Sequence, residues 1–198
     1  MTYKLRGAGL PNVYLDGGVI FEGEGEGDEQ VVCYLKLDDL YKCIARSIAL
    51  RPGVLSHNEL RFLRKRLGMS QTDVANLGDK SVQAAAKWEK GTSPVPKAEG
   101  DLLRIKTLTA FGSHKDILQV AQHLGAAAHR SDMPYLFKFD GSAWASDQIA
   151  AQKLAETASF EAALSANSAI AAAMLTSTGF AYTASPKSIS SPIFTLNA

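Results

Sequence analysis

Residues 71–91 read QTDVANLGDKSVQAAAKWEKG. They hold the side chains whose type and spacing best suit recognition chemistry. Gln83 and Lys87 are four apart, so on a helix they project from one face. A glutamine amide both donates and accepts hydrogen bonds, and a lysine ammonium donates three. Gln71 follows Ser70, a capping residue. A side-chain amide beside the unpaired backbone N–H groups of a helix start is suited to holding a phosphate. The alanines between Gln83 and Lys87 offer few hydrogen bonds. Other chemistries find little support. Cys33 and Cys43 are the only cysteines, too few for a disulfide framework or an all-cysteine zinc site, and they are expected as buried or half-buried thiols. His57, His114, His123 and His129 do not form a credible metal cluster. The pairs Asp38/Asp39 and Asp28/Glu29 read as a helix cap and a loop rather than a catalytic dyad. GEGEG, within residues 22–30, is acidic and would repel a phosphate, and GFAYTASP shows no nucleophile with a partner. No enzyme, metal or cofactor is expected.

The elements that must position residues 71–91 are legible from periodicity and caps. NVYL and GVIF flank Asp16, Gly17 and Gly18, a tight-turn signal between two strands, and VVCYLKL is a third strand-prone run. EGEGEGDEQ (residues 22–30) cannot bury a core and reads as a mobile, solvated acidic hairpin loop. Asp38 or Asp39 starts a helix to about Leu50, with Leu40, Ile44 and Ile48 on one face. Ser56 and Glu59 form a capping box. Behind it Leu60, Leu63 and Leu67 line one face, and Arg61, Arg64, Lys65 and Arg66 lie mostly on the other. Of these four, at least two are expected only to solvate the helix, and Arg61 to pair with an acidic neighbour. Gly68 ends that helix. Ser70 and Asp73 repeat the capping logic, with Val74, Ala75 and Leu77 buried. Ser81 caps residues 82–90 and Gly91 stops them. KAEGDLLRIKTLTAFG, with Leu102, Leu103, Ile105 and Leu108, suggests a further amphipathic helix. Ser113 and Asp116 open another, to about Ala128. PYLFKFDGSAW reads as two strands around Asp140-Gly141-Ser142. Residues 145–184 are Ala- and Ser-rich, with a helix or two expected, and SPKSISSPIFTLNA as an extended tail.

Two short helices joined by a tight turn, with small Ala75 between them and Trp88 pinning the second to a core, meet the requirements of a helix-turn-helix. Such a motif sets its second helix into the DNA major groove. The run from SHNELRFLRKRLGMSQTDVANL through KWEKGTSPVPKAEGDLLR resembles the Cro- and repressor-type helix-turn-helix family, the XRE family. More narrowly, it resembles the DNA-binding half of MqsA-type antitoxins. The resemblance covers residues 56–106, about a quarter of the 198-residue chain. It implies that Gln83 and Lys87 carry the base contacts, glutamine to adenine and lysine to guanine O6 and N7, with Val82 and Ala84 able to meet a thymine methyl. Ala85 then faces the core. Phosphate contacts fall to Gln71, Thr72, Lys80 and Lys90, with Thr92 and Lys97 behind them. The chain departs from the antitoxins in lacking the cysteine pairs of their N-terminal zinc module, so no zinc domain is carried over. GLPNVYLDGGV resembles a zinc-free β segment of related regulators.

Charge distribution agrees with this expectation. The net charge is only +1. Residues 57–106, however, carry ten Lys and Arg against six Asp and Glu, while residues 1–50 carry five against eight. Attraction to phosphate is a local field effect, so the asymmetry matters more than the total. The expected fold class is α+β. A small N-terminal β-hairpin or sheet segment (1–37) precedes a central λ-repressor-like helix-turn-helix domain of five to six helices (38–128). Short strands and an Ala-rich helical segment (129–198), suited to a partner or to dimerisation, follow. The expected function is a repressor that binds a palindromic operator in double-stranded DNA as a homodimer, autoregulatory, and the antitoxin of a toxin partner. A phage or mobile-element regulator without a toxin is one alternative, and a protein-interaction adaptor that has lost DNA is another. No run of about 18 apolar residues appears, and the first residues lack an apolar signal core, so a cytoplasmic, nucleoid-associated protein is expected.

Overall fold

The computed structural model describes residues 2–22, 31–122 and 134–147, all within one unit of the chain, Met1–Ala155. The sequence's turn at Gly17-Gly18 is present, and both glycines adopt positive φ, 78° and 67°. It does not join a hairpin, however. The strand before it, β2 (Val13–Asp16), pairs antiparallel with β1 (Thr2–Lys4) and parallel with β5 (Tyr135–Phe139). The strand after it, β3 (Val19–Glu22), pairs antiparallel with β4 (Val31–Tyr34) in a separate two-stranded sheet. Both edges of β2 are already taken, by β1 and β5, so β3 has no free edge of β2 to pair with; the turn passes close against the Trp144 ring, which a Cβ at Gly18 would meet. Pairing of β3 with β4 agrees with the expected hairpin, whose acidic loop lies outside the described residues. β6 (Trp144–Ser146) completes the order β1-β2-β5-β6. The turn before β6 is the expected one: Asp140 Oδ1 accepts from the N–H groups of Ser142 and Ala143, both at 2.8 Å. Strands from the N-terminal segment and from beyond residue 129 thus share one sheet.

Among the described residues, six helices lie in sequence between β4 and β5. In α1 (Leu37–Leu50) Leu40, Ile44 and Ile48 are fully buried at the expected four-residue spacing. Its cap differs from the aspartate expected: the N-cap is Lys36, in a left-handed conformation at φ 47°, with no side-chain cap. Asp38 and Asp39 lie in the first turn, where carboxylates complement the helix dipole, and Lys42 Nζ sits 2.7 Å from Asp38 and 3.6 Å from Asp39. α2 (His57–Arg66), α3 (Gln71–Asn76) and α6 (His114–Ala121) all begin with the expected capping boxes, at Ser56/Glu59, Ser70/Asp73 and Ser113/Asp116. α4 (Val82–Lys90) begins at Ser81 and ends at Gly91. α6 stops at Ala121, and the residues expected to extend it to Ala128 lie outside the described set, as do those of the Ala-rich segment after Asp147. α5 (Lys97–Phe111) buries Gly100, Leu103, Arg104, Thr107 and Leu108, one stripe at helical spacing. Leu102, expected on that face, is displaced from the stripe and exposed.

One apolar core joins sheet and helices. Val13, Leu15, Tyr135 and Phe137 pack in the same cluster as Ile44, Leu60, Leu63, Val74, Ala85 and Trp88. Two polar ties reinforce it. The Tyr135 hydroxyl donates to Glu59 Oε1 at 2.6 Å, connecting β5 to the carboxylate that caps α2. The buried Arg104 guanidinium donates to the carbonyls of Ala49, Arg51 and Gly53, which satisfies groups at the end of α1 that the helix leaves without partners.

Candidate nucleic-acid interface

α3 and α4 form the helix-turn-helix, and its turn is shaped by one left-handed residue and one close contact. Asp79 takes a left-handed conformation, φ 53°, which aspartate tolerates better than most residues. At the preceding Gly78 a Cβ would collide with the carboxylate of Glu99, itself 4% exposed at the start of α5. Only glycine lets the turn lie against that side chain. At the far end of α4, Gly91 adopts φ 73° and its N–H reaches the carbonyls of Lys87 and Trp88. A Cβ there would press on the His57 ring. Close contacts with α5 at the turn before it and with α2 at its end therefore hold α4 in place.

The faces of α4 separate as the residue spacing demands. Ala85 and Trp88 are buried in the core, at 0% and 4% exposure. Gln83, Lys87 and Lys90, at spacings of four and three, are exposed on another side, next to Val82, which is 41% exposed. Ala84 and Ala86 are half-buried, and Ala84 packs against the core. The outward surface of this helix thus consists of a long amide, two ammonium groups and the isopropyl group of Val82, framed by small side chains that allow close backbone approach. Thr72 and Lys80 are also exposed. The remaining residues expected at phosphates already have intramolecular partners. Gln71 Nε2 donates to Glu89 at 2.9 Å. Thr92 Oγ1 donates to the Lys87 carbonyl at 3.2 Å. Lys97 Nζ pairs with Asp101 at 2.6 Å in the first turns of α5.

Glu89, which the sequence reading passed over, is the hub of this assembly. Its side chain is 4% exposed. Oε1 and Oε2 accept from Nε and Nη2 of Arg64, the latter at 3.1 Å, and Oε2 accepts from Gln71. Arg61 Nη2 donates to the Glu89 carbonyl at 2.6 Å, and Arg64 Nη1 to that of Met69 at 2.8 Å. One carboxylate therefore ties α2, α3 and α4 together. Burial pushes its pKa up, but hydrogen bonds from Arg64 and Gln71 outweigh this and hold it below the usual carboxylate range. Arg64, expected on the solvated face of α2, is only 15% exposed and is committed to this pair. Arg61 meets the expected acidic neighbour, through Glu89. A signal was available: Ala85, Trp88 and Glu89 lie at i, i+3 and i+4, so the face that buries the first two also buries the third, and a buried carboxylate requires a cation.

Two short helices, α3 and α4, joined by a tight turn and braced by α2 and α5 have the arrangement of a helix-turn-helix. Residues 60–98 match the family model described as Helix-turn-helix; the match runs from within α2 to the start of α5 and suggests a DNA-binding transcription regulator. No curated protein and no solved structure matches the chain. Among the described residues no helix is long and apolar enough to cross a membrane.

Proposed function

We propose that this chain is a sequence-specific transcriptional repressor that binds an inverted-repeat operator as a dimer and controls its own operon as the antitoxin of a toxin–antitoxin pair. The observation that carries the DNA-reading step is the exposed face of α4. Gln83, Lys87 and Lys90 project from a helix whose opposite face is pinned by Trp88 and whose end is tied by Glu89. Gln83 hydrogen-bonds adenine and Lys87 guanine, with Val82 against a thymine methyl. Thr72, Lys80 and Lys90 take phosphates, and the start of α3 at Gln71 offers backbone N–H groups to another. Two-fold pairing of the protein matches half-sites about one helical turn apart, or a multiple of it. The antitoxin role rests on the resemblance of residues 56–106 to MqsA-type DNA-binding halves.

The test is a titration of binding to the DNA upstream of the protein's own gene across salt concentrations. Log affinity should fall linearly with log salt, by about 0.9 per phosphate neutralised. Undetectable binding, or binding indifferent to salt, refutes the repressor reading and favours a protein-interaction adaptor. The antitoxin step is tested by co-expression with the neighbouring open reading frame. Relief of that gene's toxicity together with co-purification supports it; a harmless neighbour leaves a regulator without a toxin.

A further inference from the structure

A second cationic site lies along α2. Asn58, Arg61, Lys65 and Arg66 occupy one helical stripe, at i, i+3, i+7 and i+8, and line a concave pocket of about 200 Å³ whose opposite wall is the loop Gly7–Gly9. Among the described residues no carboxylate lines it. Gly7 and Gly9 both adopt positive φ, 87° and 73°. A Cβ at either would meet nothing within 4 Å, so the backbone conformation, and not crowding, is what calls for glycine. Among the described residues, the N–H groups of Gly7, Ala8 and Gly9 donate to no backbone carbonyl. The loop therefore brings backbone N–H groups without a backbone acceptor to the wall opposite the cations, and successive N–H groups of this kind are able to form an anion-binding concavity. The Arg66 guanidinium lies over the Tyr41 ring, 4.5 Å from its centroid, and a cation–π contact of this kind orients it. Arg61 gives one N–H to the Glu89 carbonyl and sets its Nε 3.9 Å from the Glu89 carboxylate, but it is 43% exposed and, as a five-donor group, keeps others for a ligand. Like charges one turn apart on a helix are unfavourable by themselves, and an anion between them reverses the sign of that interaction.

We propose that this pocket binds a small phosphorylated ligand through Arg61, Lys65, Arg66 and the Gly7–Gly9 backbone. The volume falls below the roughly 300–1,000 Å³ of sites for larger organic ligands, so the class is a compact phosphoryl anion. A concave, loop-walled site also suits a discrete ligand better than the convex ridge of a duplex backbone. The proposal does not depend on the DNA-reading assignment.

Calorimetric titration of the full-length protein with pyrophosphate, at constant ionic strength and with chloride as the control anion, tests it. Saturable binding at one site per chain is expected. Lys65→Ala and Arg66→Ala should each weaken it about tenfold or more, the loss of one charge-assisted contact, while Lys42→Ala, an exposed cation outside the pocket, should leave it unchanged. Thermal melts without ligand check that each variant folds, and Arg66→Gln, which keeps much of the side chain's length and removes the charge, replaces Arg66→Ala should that variant unfold. Non-saturable heats in the wild type, or equal pyrophosphate affinity in wild type and folded pocket variants, overturn the proposal. Each variant is also titrated with a duplex of arbitrary sequence. Variants that lose affinity for the duplex while holding pyrophosphate as tightly as the wild type overturn it too, in favour of a DNA-backbone contact.

Discussion

Glu89→Ala should destabilise the protein by about 3–5 kcal/mol, the cost of removing one partner of a buried pair and leaving the other without compensation. The magnitude follows from what is stranded. Arg64 is 15% exposed and the Glu89 side chain 4%, so neither group recovers full hydration when its partner is lost. Gln71 loses the acceptor for its amide as well. For a domain whose total stability is about 5–15 kcal/mol, this is a large share, and it corresponds to a fall in melting temperature of roughly 6–20 °C. Urea unfolding followed by tryptophan fluorescence suits the measurement, because Trp88 precedes Glu89 in the chain and lies in the core. The double variant Arg64→Met/Glu89→Leu separates pair from packing: apolar replacement of both ions should restore most of the loss, since a buried pair is worth little net against well-packed apolar groups. The reasoning fails if Glu89→Ala costs under about 1 kcal/mol, the level of an exposed pair. It fails equally if the double variant is as unstable as the single one, because then the void, and not the orphaned cation, sets the cost.

On the operator, Gln83→Ala and Lys87→Ala should each cost about 1–3 kcal/mol and relax base preference, whereas Lys90→Ala should weaken operator and arbitrary DNA alike; competition binding with single-base operator variants reads this, and unchanged discrimination in Gln83→Ala would remove the base-contact assignment. Tyr135→Phe should lower stability by about 1.5–3 kcal/mol, the range for a hydrogen bond to a charged group, and raise amide exchange in the first turn of α2, because its hydroxyl supports Glu59, the cap of that helix; an unaltered exchange rate there would show that the sheet and the cap are not coupled. Asp116 accepts two hydrogen bonds of 2.8 Å from Arg46, and these, with the Ser113 cap and against the opposing effect of burial, hold its pKa well below the usual range. A depressed folded pKa stabilises above the unfolded value of about 3.9 and loses that contribution as pH falls below it, so denaturation between about pH 4 and pH 2 should be less steep in Asp116→Asn than in the wild type, and parallel curves would contradict the assignment.

What the sequence made legible was local, and the physics explains the boundary. Each of the three capping boxes is a contact between residues three apart, so Ser56/Glu59, Ser70/Asp73 and Ser113/Asp116 could be read from spacing and appear as expected. Ala85 and Trp88 followed from helical period in the same way. The parallel pairing of β2 with β5 joins segments separated by the whole helical region. Nothing in NVYL distinguishes a strand that pairs with its neighbour in sequence from one that pairs with Tyr135–Phe139. The turn signal at Gly17-Gly18 was correct as a turn and silent about its partners, because β5, which takes the second edge of β2, lies far along the chain. The same limit applies at the interface. Polar residues of the helix-turn-helix read alike in one dimension, yet Gln83 and Lys87 face outward, while Gln71, Arg64 and Glu89 are engaged with one another. Burial commits the charges of Arg64 and Glu89 to fixing α4, and leaves Gln83 and Lys87 as the groups that the proposed function sets against DNA. On the proposed function, that division also accounts for the alanines of α4: its position is held by α2, α3 and α5, so few of its own side chains are needed for anything but contact.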